Sequence, residues 1–180
     1  MVMTGEMAAA AMMSTAGEDR DRLAGLFDAH HRRLYALARR LSASSEDARD
    51  LVQDTFLRAA AAPHRVPYGH EEAWLVRVLV NLCRDRWRRS RTARKYLDGH
   101  RHTQDDAPDS ETALLAHSDV WRAMTRLPPR RRAVLVMHEI EGVAASRIAR
   151  VLGIAPVTVR WHLLQGRRQL AAVLRRSPTT

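Results

Sequence analysis

Near the carboxy terminus, Thr158, Arg160, Trp161, His162, Gln165, Arg167 and Arg168 fall on the exposed side of one helical pattern. Arg offers two parallel N–H donors and Gln a donor beside an acceptor, the sets that pair with guanine and adenine edges in a DNA groove. Thr158, Arg167 and Arg168 suit phosphates, which position a protein without specifying sequence. Trp161 can touch bases or pack on a neighbouring helix. The competing reading is a solvated face on an Arg-rich chain. Against it, Gly142 to the end carries seven Arg and no acid.

A second basic cluster lies upstream. Leu75 to Tyr96 holds eight Arg or Lys against Asp85 alone. A loop with Arg65, Tyr68 and His70 precedes it. A basic groove beside such a loop suits a protein that holds bases out of their stack. Asn81 could bond a base edge, and Asp85 reads as an orienting partner for nearby arginines. Trp74 reads as core. A third cluster has the opposite sign. Asp50, Gln53 and Asp54 share one helix face, which would repel DNA and suits either a basic protein partner or plain solvation.

Enzyme chemistry has little support. There is no Gly-rich phosphate loop and no nucleophile in a recognisable frame, so no catalytic residue and no cofactor are expected. His30-His31 and His100-x-His102 lack a matching Cys or His pair at zinc spacing, so no metal is expected. Cys83, the only cysteine, reads as a small core residue, with a redox thiol as the alternative.

Helical periodicity supplies the scaffold for these clusters. Leu23, Leu26, Phe27, Leu34, Leu37, Ala38 and Leu41 predict a helix from Asp19 or Asp21 to Leu41. Ser44 with Asp47 predicts a cap for the next, whose buried stripe is Ala48, Leu51, Val52, Thr55, Phe56 and Ala59. Pro63 to His70 reads as a loop. A third helix over 71–94 has Trp74, Leu75, Val78, Leu79 and Leu82 as its apolar side and Arg77, Asn81, Arg84, Asp85 and Arg88 opposite. Helical pattern returns at Leu114 and stops at Pro128-Pro129. A helix over 130–141 ends at Gly142. Ala144 to Leu152, a turn at Gly153 and a helix from Pro156 to about Arg175 then form a helix-turn-helix. Ile148, Ala149, Leu152, Ile154, Val159, Leu163 and Leu170 are its packing positions.

The fold class is therefore all-α: two small helical domains joined by a flexible linker. Residues 1–18 read as a disordered tail, 19–96 as a three-helix domain, 97–113 as an acidic linker and 114–176 as the helix-turn-helix domain. Met3 and Met7 leave the start codon open. The net charge of +10 attracts polyanions, nucleic acid first and an anionic membrane second. Gln104 to Asp119 carries five acids and no Arg or Lys, so the two basic blocks are separated. No apolar run approaches the roughly 20 residues of a membrane span. With one cysteine no intrachain disulfide forms, which suits a reducing, cytoplasmic location.

The segments DLVQDTFLRA (Asp50 to Ala59) and AWLVRVLVNLCRDRWRR (Ala73 to Arg89) resemble region 2 of the sigma-70 superfamily. LPPRRRAVLVMHEIEG (Leu127 to Gly142) and IARVLGIAPVTVRWHLLQGRRQL (Ile148 to Leu170) resemble its region 4. Their order, with no region 3 between them, is similar to the extracytoplasmic function (ECF) group, and the match runs from about Leu23 to Leu174. The resemblance implies an RNA polymerase sigma factor, recruited to core polymerase and reading −10 and −35 promoter elements. It implies that Asp50, Gln53 and Asp54 contact the β′ clamp helices. Asn81 and the Pro63–His70 loop, with Arg65, would capture an unstacked −10 base, and Arg84, Arg88 and Arg89 would follow the −10 backbone. Arg160, Trp161, Leu164 and Gln165 would lie on the −35 reading helix, with Thr158, Arg167 and Arg168 beside them. Region 4 would also dock on the β flap, and an anti-sigma protein is the expected regulator. The acidic linker is expected to shield the basic faces until polymerase separates the domains, so that the free chain binds promoters weakly.

Five positions depart from the family pattern: Arg147 stands where Glu is usual, Trp161, Leu164 and Gln165 where Ser, His or Arg are common, and Ala155 where Ser or Thr is usual. Ala155 is a poor cap. The −35 sequence therefore does not follow from the resemblance. The alternative function is a stand-alone helix-turn-helix regulator, which has no use for the Asp50, Gln53, Asp54 face.

Overall fold

A computed structural model of the chain describes the backbone of residues 3–96 and 119–175 and the side chains of 17–92 and 120–175. All its regular elements are helical. Helix α1 (Met3–Leu41), α2 (Ser45–Ala61) and α3 (Glu71–Tyr96) form an amino-terminal bundle, with a 3₁₀ turn at Pro63–Arg65. Helices α4 (Asp119–Thr125), α5 (Pro129–Leu135), α6 (Ala145–Leu152) and α7 (Pro156–Leu174) form the carboxy-terminal unit. A π-helical turn, Val136–Ile140, extends α5.

Local chemistry accounts for most boundaries. The Asp47 amide donates to Ser44 Oγ at 3.0 Å, capping α2. The buried residues of α2 are Ala48, Leu51, Val52, Thr55, Phe56 and Ala59, the stripe expected from periodicity. Thr55 is accommodated because its hydroxyl donates to the Leu51 carbonyl at 2.7 Å. Gly153 adopts φ 63, ψ 42 at the end of α6, a left-handed turn that costs a glycine little. The segment expected as a tail, 1–18, is helical from Met3. Met, Ala and Glu are good helix formers, and the stretch holds no proline to stop propagation from α1. The acidic linker of 97–113, with Leu114 and His117, lies outside the described residues.

The two units pack directly on each other, through α3 against α5 and α6 and through α1 against α5. One continuous cluster of buried side chains runs from Leu34 and Leu79 to Val134 and Ile148. This arrangement was not part of the expected picture of two modules on a linker. It follows from a second apolar stripe on α3. Val76, Val80 and Cys83 recur at i, i+4 and i+7 beside the expected Leu75, Leu79 and Leu82, and all six are buried. Cys83 Sγ lies 3.5 Å from the Leu41 carbonyl, the same oxygen that receives Arg132 Nη1 at 2.6 Å from α5. Burial raises the Cys83 thiol pKa above its ordinary value, which keeps it protonated and suits a core role.

Within the carboxy-terminal unit, α7 crosses α5 at Gly166. A Cβ there would come within 2.6 Å of Leu135 Cδ1 and 3.0 Å of Leu135 Cγ. Gly166→Val is therefore expected to lower stability by about 1–3 kcal/mol through overpacking, read by urea unfolding. An unchanged midpoint would contradict this packing.

Candidate nucleic-acid interface

Helix α7 carries the residues expected to face DNA. Val159 and Leu163 are buried against the bundle, while Arg160, Trp161, Leu164 and Arg168 are exposed. Thr158 and Gln165 are half-buried. Proline at the first position of α7 sets its start, and Ala155 makes no side-chain cap, as its type dictates. Trp161 is 50% exposed and is steadied on two sides, by Arg131 at 5.1 Å from its ring centroid and by His162 at 5.0 Å. It is thus both packed and available. Burial, and then Arg131 and Arg130, hold the His162 pKa below its usual value, so this imidazole is neutral near pH 7. Arg167 differs from its neighbours: Nη2 donates to Glu139 Oε1 at 2.6 Å, and Nε to the same oxygen at 3.0 Å. Its charge is already engaged by the π-helical turn, unlike that of a guanidinium waiting for phosphate.

Helix α3 and the loop before it form the second surface. Arg65 is exposed on the 3₁₀ turn, and Arg88 and Arg89 are exposed near the end of α3. Asn81 and Arg84 are half-buried. The Asn81 amide has no hydrogen-bond partner among the described residues. Arg84 reaches Asp85 Oδ1 at 3.4 Å, in keeping with an orienting role for Asp85. Tyr68 stands out of the loop at 79% exposed, whereas Val66 is buried. Gly69 sits at φ 75 and its amide donates to Glu71 Oε1 at 2.9 Å. Hydrogen bonds from the Glu71 and Gly69 amides hold the Glu71 carboxyl below its ordinary pKa.

The acidic face of α2 carries Asp50 and Gln53 exposed and Asp54 half-buried. Sequence reasoning missed its partner. Arg86 of α3 lies 2.7 Å from Asp54 Oδ2, 3.8 Å from Asp50 Oδ2 and 4.0 Å from Asp47 Oδ1. Three carboxylates around one guanidinium leave this face net negative.

The face of α3 that carries Arg77 is turned toward the carboxy-terminal unit. Arg77 Nε donates to the Val151 carbonyl at 2.9 Å and Nη2 to the Arg150 carbonyl at 2.9 Å, at the negative end of α6. Arg84 stands close enough to Arg130 of α5 to lower the Arg130 pKa, an effect second to that of burial. On α1, Arg33 and Arg40 each lie 3.7 Å from Glu141, and Arg33 also pairs with Glu72. In this arrangement part of the α3 surface faces protein.

Two family models match the chain in order: Sigma-70 region 2 over residues 26–94 and Sigma-70, region 4 over 117–170. The ECF RNA polymerase sigma factor SigM of Mycobacterium tuberculosis is 37% identical over 151 residues, spanning 83% of this chain and 75% of SigM. The chain belongs to the ECF RNA polymerase sigma factors. SigE of Mycolicibacterium smegmatis is 35% identical over 78% of the chain and 57% of SigE. Among solved structures, CnrH, in complex with the cytosolic domain of CnrY, aligns at TM-score 0.60 and 26% identity, covering 92% of this chain and 95% of CnrH. RpoE of Bartonella quintana, in complex with the anti-sigma factor NepR, aligns at 0.59 over 87% of this chain and 96% of RpoE, and at 24% identity it supports the fold. As an ECF sigma factor the protein directs transcription by RNA polymerase, and the stand-alone regulator is not favoured. Among the described residues of the sigma factor, no helix is long and apolar enough to cross a membrane.

Proposed function

We propose that this sigma factor divides promoter recognition between its two units, residues 19–96 for the −10 element and 114–176 for the −35 element. Asn81, with Arg65 of the loop, takes a base edge, and Arg84, Arg88 and Arg89 follow the adjoining backbone. Arg160, Trp161, Leu164 and Gln165 meet base edges at −35, while Thr158 and Arg168 meet phosphates. Arg167 joins them once Glu139 releases it. Core polymerase docks through its β′ clamp helices on Asp50, Gln53 and Asp54, and through its β flap on region 4. Core binding separates the two units and frees the covered side of α3, so the free chain binds promoters weakly. An anti-sigma protein, of the kind seen with RpoE, covers the same faces. The protein works in the cytoplasm and performs no catalysis of its own, the reaction belonging to polymerase.

The observation that supports this division most is the sign of the surfaces. Exposed Arg and amide groups occupy α3 and α7, and the net-negative cluster is confined to α2 and its Arg86 partner. Holoenzyme footprinting on promoters with single base changes tests it. Gln165→Ala is expected to relax discrimination at one −35 base pair by about 1–3 kcal/mol and to leave the −10 profile alone. Asn81→Ala is expected to do the reverse. Effects on the opposite element would reassign the residues.

A further inference from the structure

The loop from Pro63 to His70 is held by a side chain from outside it. Arg22, on α1, donates from Nη1 to the Pro63 carbonyl at 3.1 Å and from Nη2 to the Val66 carbonyl at 2.6 Å. Its guanidinium carbon also lies 3.9 Å from the centroid of the Tyr68 ring. One planar group thus bonds carbonyls at both ends of the 3₁₀ turn and stands over the ring of Tyr68, the loop's one tyrosine. Val66 plugs the loop into the core, and Glu71 fixes the Gly69 amide. The remaining surface of Tyr68 is in solvent, the residue being 79% exposed.

We propose that Arg22 is the positioning residue for −10 base capture: it fixes the loop and backs the Tyr68 ring, whose open face stacks on the unstacked base. This rests on the assignment of the loop to the −10 element made above. A base leaving its stack gains most from an aromatic face that is already in place, because no ordering of the loop is then charged against binding. Arg is required rather than Lys. Only a guanidinium fork reaches two carbonyls and stands over a ring at once; an ammonium keeps the charge and loses the geometry.

The test uses the full chain assembled with core polymerase on one promoter, as closed duplex and as a template with a pre-melted −10 bubble. Arg22→Lys and Tyr68→Ala are compared with the parent for open-complex formation, core binding and thermal midpoint. The expected result is a loss of about tenfold or more for both variants on duplex. That deficit should shrink on the bubble, with core binding and midpoint unchanged. A fluorescent base analogue at the captured position should report weaker stacking in both. If Tyr68→Ala loses activity and Arg22→Lys does not, base capture stands and the role of Arg22 is overturned. If neither loses activity, base capture by this loop falls, and the proposal with it. Equal losses of Arg22→Lys on both templates, or a lowered midpoint, would make Arg22 a folding residue and also overturn the proposal.

Discussion

Arg132→Met is expected to destabilise the protein by about 2–4 kcal/mol, measured by urea unfolding. Arg132 is 4% exposed, the only charged side chain among the buried ones of the described residues. Nη1 donates to the Leu41 carbonyl at 2.6 Å, and Nη2 to the Thr125 carbonyl and, at 3.3 Å, to that of Leu127. These oxygens sit where α1 and α4 end, so the cation lies where the peptide dipoles present negative charge and unpaired acceptors. Among the described residues no carboxylate pairs with it. Burial lowers the Arg132 pKa, yet a guanidinium stays charged in proteins. Methionine fills similar volume and removes the cost of burying a charge, but it leaves the acceptors unmatched. Arg132→Lys should recover only part of the loss, because one ammonium does not span both helix ends. The Leu41 bond crosses between the two units, so amide exchange at the end of α1 should quicken as well. A change below about 0.5 kcal/mol would mean that the desolvation of this charge cancels its bonds.

The Asp50→Arg, Asp54→Arg double variant is expected to lose at least about a hundredfold in polymerase-dependent transcription while keeping its fold. Asp47, Asp50 and Asp54 surround Arg86, a local balance of −2 from three acids and one base. The double reversal turns it to +2, two acids having become two bases. Against a basic docking surface such a reversal costs several kcal/mol, and about 2.7 kcal/mol is already a hundredfold. The fold is expected to survive because these pairs lie at the surface, with Asp50 exposed and Asp54 and Arg86 half-buried, and surface ion pairs contribute about 0–1 kcal/mol. Circular dichroism and the thermal midpoint check that half of the expectation. A variant that folds and still initiates at the parent level would remove the clamp-facing role from α2.

Much of this molecule was legible because helical periodicity is local. The buried stripe of α2, its Ser44 cap and the left-handed Gly153 are each written in fewer than a dozen consecutive residues. The unburied side of α7 was legible for the same reason, since burial of Val159 and Leu163 fixes which side is left. What escaped the sequence depends on contacts across long separations. Arg86 meets Asp54 from 32 residues away, and Arg22 meets the loop from 41 and 44. Arg132 stands in a run of three arginines, and nothing local distinguishes the buried one from its half-buried neighbours. The pairing of Arg167 with Glu139, 28 residues away on another element, has no local signal either. The packing of the two units hid in the width of the α3 apolar surface: two stripes side by side mean two neighbours, but periodicity does not name the second.

The most direct measurement is run-off transcription with purified core polymerase on genomic promoter fragments, with the parent chain, with the Asp50→Arg, Asp54→Arg variant, and without either. Transcripts with defined starts that require the parent chain and vanish with the variant are the predicted result. Specific DNA binding by the chain alone, with no polymerase-dependent initiation, would contradict the account.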